Sequence, residues 1–199
     1  DPMHFAISLN GEPTIYPKIG ELVQEINGRG MSSYLVTNGT FPEKIKKMFD
    51  YNQLPTQFYV SVDAPNKQLF DEIDRPLTPD CWDRLMETLQ FLPKLKEKTR
   101  TVLRYTLLKD INMVHPEQWA DIILFSQPIF VEVKGYMFVG SSRQRLTMAN
   151  MPYHHEIKAF ALEICKYSGY KLIDEHEPSC VVLLMKKDFA GRILNFKKK

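Results

Sequence analysis

The sequence predicts an α/β domain built on a parallel sheet, and three observations support this. Short apolar runs alternate with segments of helical spacing along nearly the whole chain, as in repeated βαβ units. The strand-like runs are almost continuously apolar, which suits a sheet covered on both faces. The 199 residues, 44% apolar and 25% charged, have the balance of one globular domain with room for a core.

The first predicted strand is residues 4–9, closed by Asn10-Gly11. Residues 19–28 come next as a helix, with Ile19, Leu22, Val23 and Ile26 on one face and Gly28 and Gly30 as its stop. Residues 33–37 form the next strand, ending at Asn38-Gly39. The helix over 42–49 starts on Pro42, whose fixed φ suits a first turn, with Thr40-Phe41-Pro42-Glu43 as its cap. Residues 57–62 are the third strand, ending at Asp63-Ala64-Pro65, where Asp63 is a candidate cap for the succeeding segment.

A long helix over 80–95 places Trp82, Leu85, Leu89 and Leu92 on one face. A strand over 101–108, a helix over 116–126 with Trp119, Ile122 and Ile123 inward, and a strand over 130–134 come next. The helix over 154–167 spaces Ile157, Phe160, Ala161 and Ile164 for burial. Residues 170–173 and 180–185 read as a closing strand pair. No repeat, low-complexity linker or composition shift divides residues 1–199, so one domain is expected. Pattern alone does not separate an open doubly wound sheet from a curved, partly closed barrel.

The net charge of +2 neither demands nor excludes a nucleic acid, because a local basic patch can sit on a nearly neutral chain. The run Lys197, Lys198, Lys199 reads as a solvated tail. No apolar run reaches the roughly 18–20 residues a membrane span needs, so no membrane partner is expected. Cys81, Cys165 and Cys180 match the spacing of no zinc site, redox pair or iron–sulfur motif, and each reads as a packing thiol. Their sparse, odd count suggests a reducing, cytoplasmic setting. The opening Asp1-Pro2-Met3-His4 leads straight into a strand, as expected of a domain cut from a longer polypeptide.

In parallel α/β folds ligands sit outside the carboxyl ends of the strands. Those ends here carry Asn10-Gly11-Glu12-Pro13, Thr37-Asn38, Ser61 and Asp63, Arg104 to Lys109, and Glu132, Lys134 and Tyr136. Arg104, Glu132 and Lys134 say most, because a charge within an apolar strand must be paired or face a polar cavity. Glu132 and Lys134 are two apart and point to one face, with Val131 and Val133 on the other. A structural Glu–Arg or Glu–Lys pair and the lining of a polar site remain alternatives at this point.

The stretch Ser8-Leu9-Asn10-Gly11-Glu12-Pro13 resembles the glycine-glycine-glutamate-proline motif of the radical S-adenosylmethionine superfamily, with Asn10 replacing the first glycine. FAISLNGEPTIYP (5–17), YLVTNGT (34–40), LPTQFYVSVDA (54–64), DRPL (74–77), RTVLRYTLLK (100–109) and FVEVKGYMFVGSSRQRLTMANM (130–151) extend the likeness to nearly the whole chain, in order. Together they resemble the tRNA 4-demethylwyosine synthase family of wybutosine biosynthesis.

The resemblance implies a partial (β/α)6 TIM-like barrel of the radical S-adenosylmethionine type, here truncated at its N-terminus. It implies S-adenosylmethionine and [4Fe–4S] clusters as cofactors, with a 5′-deoxyadenosyl radical formed on reduction. That radical would serve to condense pyruvate with N1-methylguanosine beside the anticodon of tRNA-Phe. An electron donor, flavodoxin-like or ferredoxin, is implied as a partner.

Residue by residue, Gly11, Glu12 and Pro13 match the motif that receives the cofactor's amino group. An ammonium there needs acceptors and a compensating charge. Thr37 and Asn38 match a strand end near the cofactor. Ser61 and Asp63 match the strand end that contacts its methionyl and ribose parts, and Arg104 a position suited to its carboxylate. Glu132, Lys134 and Tyr136 match a substrate-side segment, and Arg143 and Arg145 are placed to meet tRNA phosphates.

The family's CxxxCxxC loop, its second-cluster cysteines and its pyruvate lysine have no counterpart in the sequence. No catalytic residue and no metal ligand are therefore assigned, and the chain by itself is expected to be catalytically incomplete. Two further readings stand beside this one. The first is a non-catalytic tRNA- or S-adenosylmethionine-binding domain. The second is a barrel aldolase with Lys134 as Schiff-base nucleophile in an apolar cavity.

Overall fold

The computed structural model describes residues 2–8 and 11–194. Leu9 and Asn10 of the first strand end, and the Lys197–Lys199 tail, lie outside the described residues. The elements run β1 (His4–Ile7), α1 (Ile19–Gly28), β2 (Ser32–Thr37), α2 (Pro42–Asp50), β3 (Gln57–Val62), α3 (Lys67–Asp74) and α4 (Cys81–Leu95). They continue with β4 (Arg100–Leu107), α5 (Pro116–Ser126), β5 (Phe130–Gly135), α6 (His154–Ser168), β6 (Lys171–His176) and β7 (Val181–Met185).

Among the described residues these strands form one sheet in the order β1-β2-β3-β4-β5-β7-β6. The first five are parallel neighbours, whereas β7 pairs antiparallel with both β5 and β6. The sheet is therefore mixed and unclosed, which fits a partial barrel. The expected closing pair is present, but its second strand sits against β5 and its first forms the edge. The short link between β6 and β7 permits only antiparallel pairing.

One face of the sheet packs the helices. Leu35, Val60, Val62, Leu103, Tyr105, Leu107, Val131 and Val133 meet Val23, Ile45, Leu85, Leu89, Trp119 and Ile157, all buried, in a single cluster. Burying a side chain of this size contributes about 2–3 kcal/mol. The Trp119 and Tyr105 rings meet at a tilt of 53°, with centroids 4.5 Å apart. Their polar ends are satisfied: Tyr105 Oη donates to Trp119 O (3.0 Å) and Trp119 Nε1 to Asn112 O (3.2 Å).

Local expectations are corrected at several points. Leu22 is 40% exposed, so α1 packs through Ile19, Val23 and Ile26 alone. The residue before α2 is Phe41, and Thr40 caps nothing there; its backbone N–H and hydroxyl instead donate to Asn38 Oδ1 (3.0 and 2.7 Å). Helix α3 is an unforeseen element, and its cap is Asn66, whose Oδ1 accepts from Leu69 N (3.0 Å), rather than Asp63. No helix among the described residues is long and apolar enough to cross a membrane.

Candidate functional site

Among the described residues, no helix packs on the other face of the sheet. Its small apolar cluster is Tyr59, Val102, Phe130 and Met185, with Tyr34, Val36 and Leu183 at the margin. Above that cluster, toward the strand ends, the register lays out two polar rows. Ser61 pairs with Arg104, and Arg104 with Glu132. One step further on, Thr106 pairs with Lys134, and Asp63 reaches the Thr106 side chain and backbone. Alternation in β4 and β5 places these groups opposite the helix-packed Leu103, Tyr105, Val131 and Val133, as the sequence predicted.

The two alternatives left open for Glu132 resolve toward pairing with Arg104. Arg104 Nε and Nη2 both donate to Glu132 Oε2 (3.1 and 3.0 Å). Tyr59 Oη donates to Glu132 Oε1 (3.1 Å), and the guanidinium carbon lies 4.6 Å from the Tyr59 ring centroid. Burial, with the Glu132 charge adding, pushes the Tyr59 phenol far up, so it stays a donor. Arg104 Nη1 has no part in this pairing. Lys134 lines a cleft of about 460 Å³ with Glu132, Asp174, Glu175 and His176. Ser179, Val181, Val182 and Leu183 complete the cleft, so Lys134 shares its lining with three carboxylates and with apolar side chains.

Asp63 Oδ1 is buried with no hydrogen-bond partner. Burial pushes its carboxyl up, against the opposing Thr106 bonds and the Arg104 charge. Asp74, at the end of α3, keeps contact with solvent. Desolvation of its carboxyl and the Asp63 charge still push it up to about 7, with Arg145 opposing. Asn112, fully buried, holds the strand ends around Asp63. Its Nδ2 donates to Asp63 O (2.8 Å) and Thr106 O (2.9 Å), and its Oδ1 accepts from Leu108 N (2.6 Å).

A second group forms at the ends of β1 and β2. Glu12 caps a short 3-10 turn (Pro13–Ile15) and reaches across to Thr37 and Asn38. Gly11 has φ +69°, and a Cβ there would meet nothing within 4 Å, so this turn faces open space.

The segment after β5 closes over the strand ends. Tyr136 Oη bonds Ser142 Oγ (2.7 Å), anchoring the turn. Arg143 Nε donates to Phe138 O (3.1 Å), and Arg145 Nη1 donates to Ile73 O (3.1 Å). Both arginines brace the loop and remain exposed. Asn150 O accepts from Lys109 N (3.0 Å), and its Nδ2 donates to Lys109 O (3.1 Å).

The strand ends thus offer an uncompensated carboxylate oxygen, a serine hydroxyl and a guanidinium with unspent donors. This set is complementary to a ligand carrying hydroxyls, a cation and a carboxylate, so the residues present fit S-adenosylmethionine. They do not fit an iron–sulfur cluster: Cys81, Cys165 and Cys180 are free thiols, and no three His, Cys, Asp or Glu among the described residues could hold a metal. Tyr59, Asp74 and Asn112 were not singled out from sequence. The only hint was Tyr59's place two residues before Ser61, on the same face.

Residues 3–123 match the family model described as the Radical SAM superfamily, and residues 126–186 match that for wyosine base formation. The chain belongs to the radical S-adenosylmethionine superfamily. Its similarity within that superfamily runs to S-adenosyl-L-methionine-dependent tRNA 4-demethylwyosine synthases. It is 49% identical over 189 residues to that of Pyrococcus abyssi, covering 94% of this chain and 55% of the relative. It is 42% identical over 200 residues to that of Arabidopsis thaliana, covering 99% and 29%.

A solved TYW1 with a lysine-pyruvate adduct bound superposes with TM-score 0.82 at 35% identity, over 93% of this chain and 57% of that one. An archaeal TYW1 crystal structure gives 0.77 at 33% identity, over 94% and 57%. The chain spans about half the length of the archaeal relatives it matches.

Proposed function

We propose that this chain is the S-adenosylmethionine-binding part of a tRNA 4-demethylwyosine synthase. The reaction joins two carbons of pyruvate to N1-methylguanosine beside the anticodon of tRNA-Phe. The observation that carries the reading is the convergence of Ser61, Asp63, Arg104, Glu132 and Lys134 on one sheet face, opposite the helices, at the strand ends. Close likeness over the whole chain to synthases of that name supports it. In this reading residues 1–199 are a radical S-adenosylmethionine core without its first strand and cluster loop. The chain alone is then catalytically incomplete.

S-adenosylmethionine, when bound, would supply the carbon radical that the reaction needs. This chain's residues bind and orient. The turn of Gly11, Glu12 and Pro13, with Thr37 and Asn38, would hold the amino end of the cofactor. Ser61 and Asp63 would hold its ribose, and Arg104 would pair with its carboxylate. Glu132 holds Arg104. Lys134 and Tyr136 border the substrate side, and Arg143 and Arg145 meet tRNA phosphates. A flavodoxin-like or ferredoxin donor supplies the electron, and the setting is cytoplasmic.

The test uses the full-length protein containing this chain, reconstituted anaerobically with iron and sulfide. It is incubated with S-adenosylmethionine, reductant, pyruvate and tRNA-Phe bearing N1-methylguanosine. Mass spectrometry of digested nucleosides should find 4-demethylwyosine, and its absence from a cluster-loaded enzyme ends the reading. Binding of tRNA and S-adenosylmethionine without any product would favour the non-catalytic alternative, which the lack of cluster ligands among the described residues keeps in view.

A further inference from the structure

The rim above the strand ends carries an aromatic pair that the cofactor site does not use. Tyr153 stands just before the first turn of α6 and is 69% exposed. The His155 ring lies nearly parallel to its ring, at an angle of 9° with centroids 5.7 Å apart, and is exposed as well. Tyr153 is fixed through its main chain. Its N–H donates to Glu156 Oε2 (2.8 Å), and its carbonyl accepts from Glu156 N (3.0 Å) and Ile157 N (3.1 Å). Glu156 Oε1 pairs with Lys109 Nζ at 2.6 Å, and the Lys109 main chain is bonded on both sides to Asn150. The exposed ring is thereby tied to the end of β4, and the Lys109 ammonium lies 5.9 Å from its centroid.

The segment leading to this pair mixes apolar and basic side chains on its surface. Met137, Val139 and Met148 are exposed, and Arg143 and Arg145 stand exposed between them in sequence. Parallel rings beside interleaved apolar and guanidinium groups suit a single-stranded nucleic acid, whose bases stack on aromatic faces while its phosphates pair with cations. A protein interface would instead gather the apolar groups and keep charges out of its centre.

We infer that Tyr153, extended by His155, is a stacking platform for an unpaired nucleobase of the RNA, beside the base that enters the strand-end site. The inference rests on the tRNA reading proposed above and adds a base contact to the phosphate contacts of Arg143 and Arg145. Every base has a face to stack, so the platform positions the loop and does not read its sequence. Its contribution is also insensitive to salt, unlike that of the arginines.

The experiment measures equilibrium binding of a labelled anticodon stem-loop of tRNA-Phe to the full-length protein, by fluorescence anisotropy over a range of salt. Tyr153→Ala should weaken binding about tenfold, as expected for one lost stack, with the slope of affinity against salt unchanged. Tyr153→Phe and Tyr153→Trp should retain the affinity, whereas Tyr153→Leu, apolar but without a flat ring, should lose as much as Tyr153→Ala. Arg143→Ala and Arg145→Ala should each lower the salt slope by about one. A stem-loop made abasic at the nucleotide flanking the target guanosine, tried on each side in turn, should bind wild-type protein about tenfold more weakly on one side. Tyr153→Ala should then add nothing to that loss, because both changes remove one contact.

If the Tyr153 variants do not fold, the abasic loops on wild-type protein still read out the platform. Unchanged affinity in Tyr153→Ala, or a Tyr153→Leu protein that binds like wild type, overturns the inference. So does an equal loss on a blunt RNA duplex, which has no unpaired base to stack. Wild-type protein that does not bind the stem-loop at all removes the tRNA reading itself, a result distinct from failure of the platform alone.

Discussion

Glu132→Ala tests whether the inner-face charge pair is a structural necessity. The change removes the acceptor of two Arg104 N–H groups at 3.1 and 3.0 Å and of the Tyr59 hydroxyl at 3.1 Å. Breaking a fully buried pair costs about 3–5 kcal/mol, because the surviving charge is left without a partner. Here the side chains are 31% and 22% exposed, so water recovers part of that and about 2 kcal/mol is expected. With a urea dependence of about 2 kcal/mol per molar, the unfolding midpoint falls by about 1 M at unchanged slope. Replacing all three partners, Arg104→Met and Glu132→Leu with Tyr59→Phe, removes the orphaned groups as well as the pair, and stability should return to within about 1 kcal/mol of the parent. A midpoint unmoved by the single change, or a triple change as damaging as the single, refutes the reasoning.

Asn112→Ala should cost about 3 kcal/mol, since three buried groups lose partners at once, and hydrogen exchange at Leu108 N should accelerate. Gly39→Ala should destabilise by about 2 kcal/mol, because φ is +74° and the new Cβ would lie 2.8 Å from Leu85 Cδ1; Gly11→Ala, with space around it, should cost only the backbone strain of about 1 kcal/mol, both read by thermal unfolding. Asp74→Asn should leave stability unchanged at pH 4 and raise it by about 1 kcal/mol at pH 8. The folded-state value of about 7 lies above the unfolded one, so the acid's ionisation erodes stability as pH rises through that window, and solvent contact limits the gain. Equal effects at both pH values in chemical denaturation would show that Asp74 does not titrate there.

The alternation of strands and helices was legible because β2 to β5 are nearly unbroken apolar runs, and Trp119, Leu85 and Ile157 fall at helical intervals on buried faces. Helix α3 was not, since KQLFDEID comes after a strand end and a proline and offers only Leu69, Phe70 and Ile73 as apolar positions. The order of the last two strands was hidden for another reason. Either member of a hairpin can dock on β5, and it is the whole sheet, not the local sequence, that decides. At the site, the shared face of Arg104, Glu132 and Lys134 followed from their position in strands. The Arg104–Glu132 contact needed the β4–β5 register, and Glu12's engagement with Thr37 and Asn38 needed the alignment of two turns 25 residues apart. Motif likeness pointed to these strand ends, and the acceptance of four hydrogen bonds by the Glu12 carboxylate from Thr14, Thr37 and Asn38 became visible only in the structure.

A wall of strands that stops short of a full circle cannot by itself keep bulk water from whatever lies against it. Shielding at the strand ends therefore depends on the segment after β5, fastened by Tyr136 to Ser142, Arg145 to Ile73 and the paired Lys109–Asn150 main-chain and amide bonds. These few latches are side-chain and loop contacts rather than sheet ladder. Access of water to the strand ends can thus be altered by changing single residues of this segment, while the scaffold beneath stays as it is.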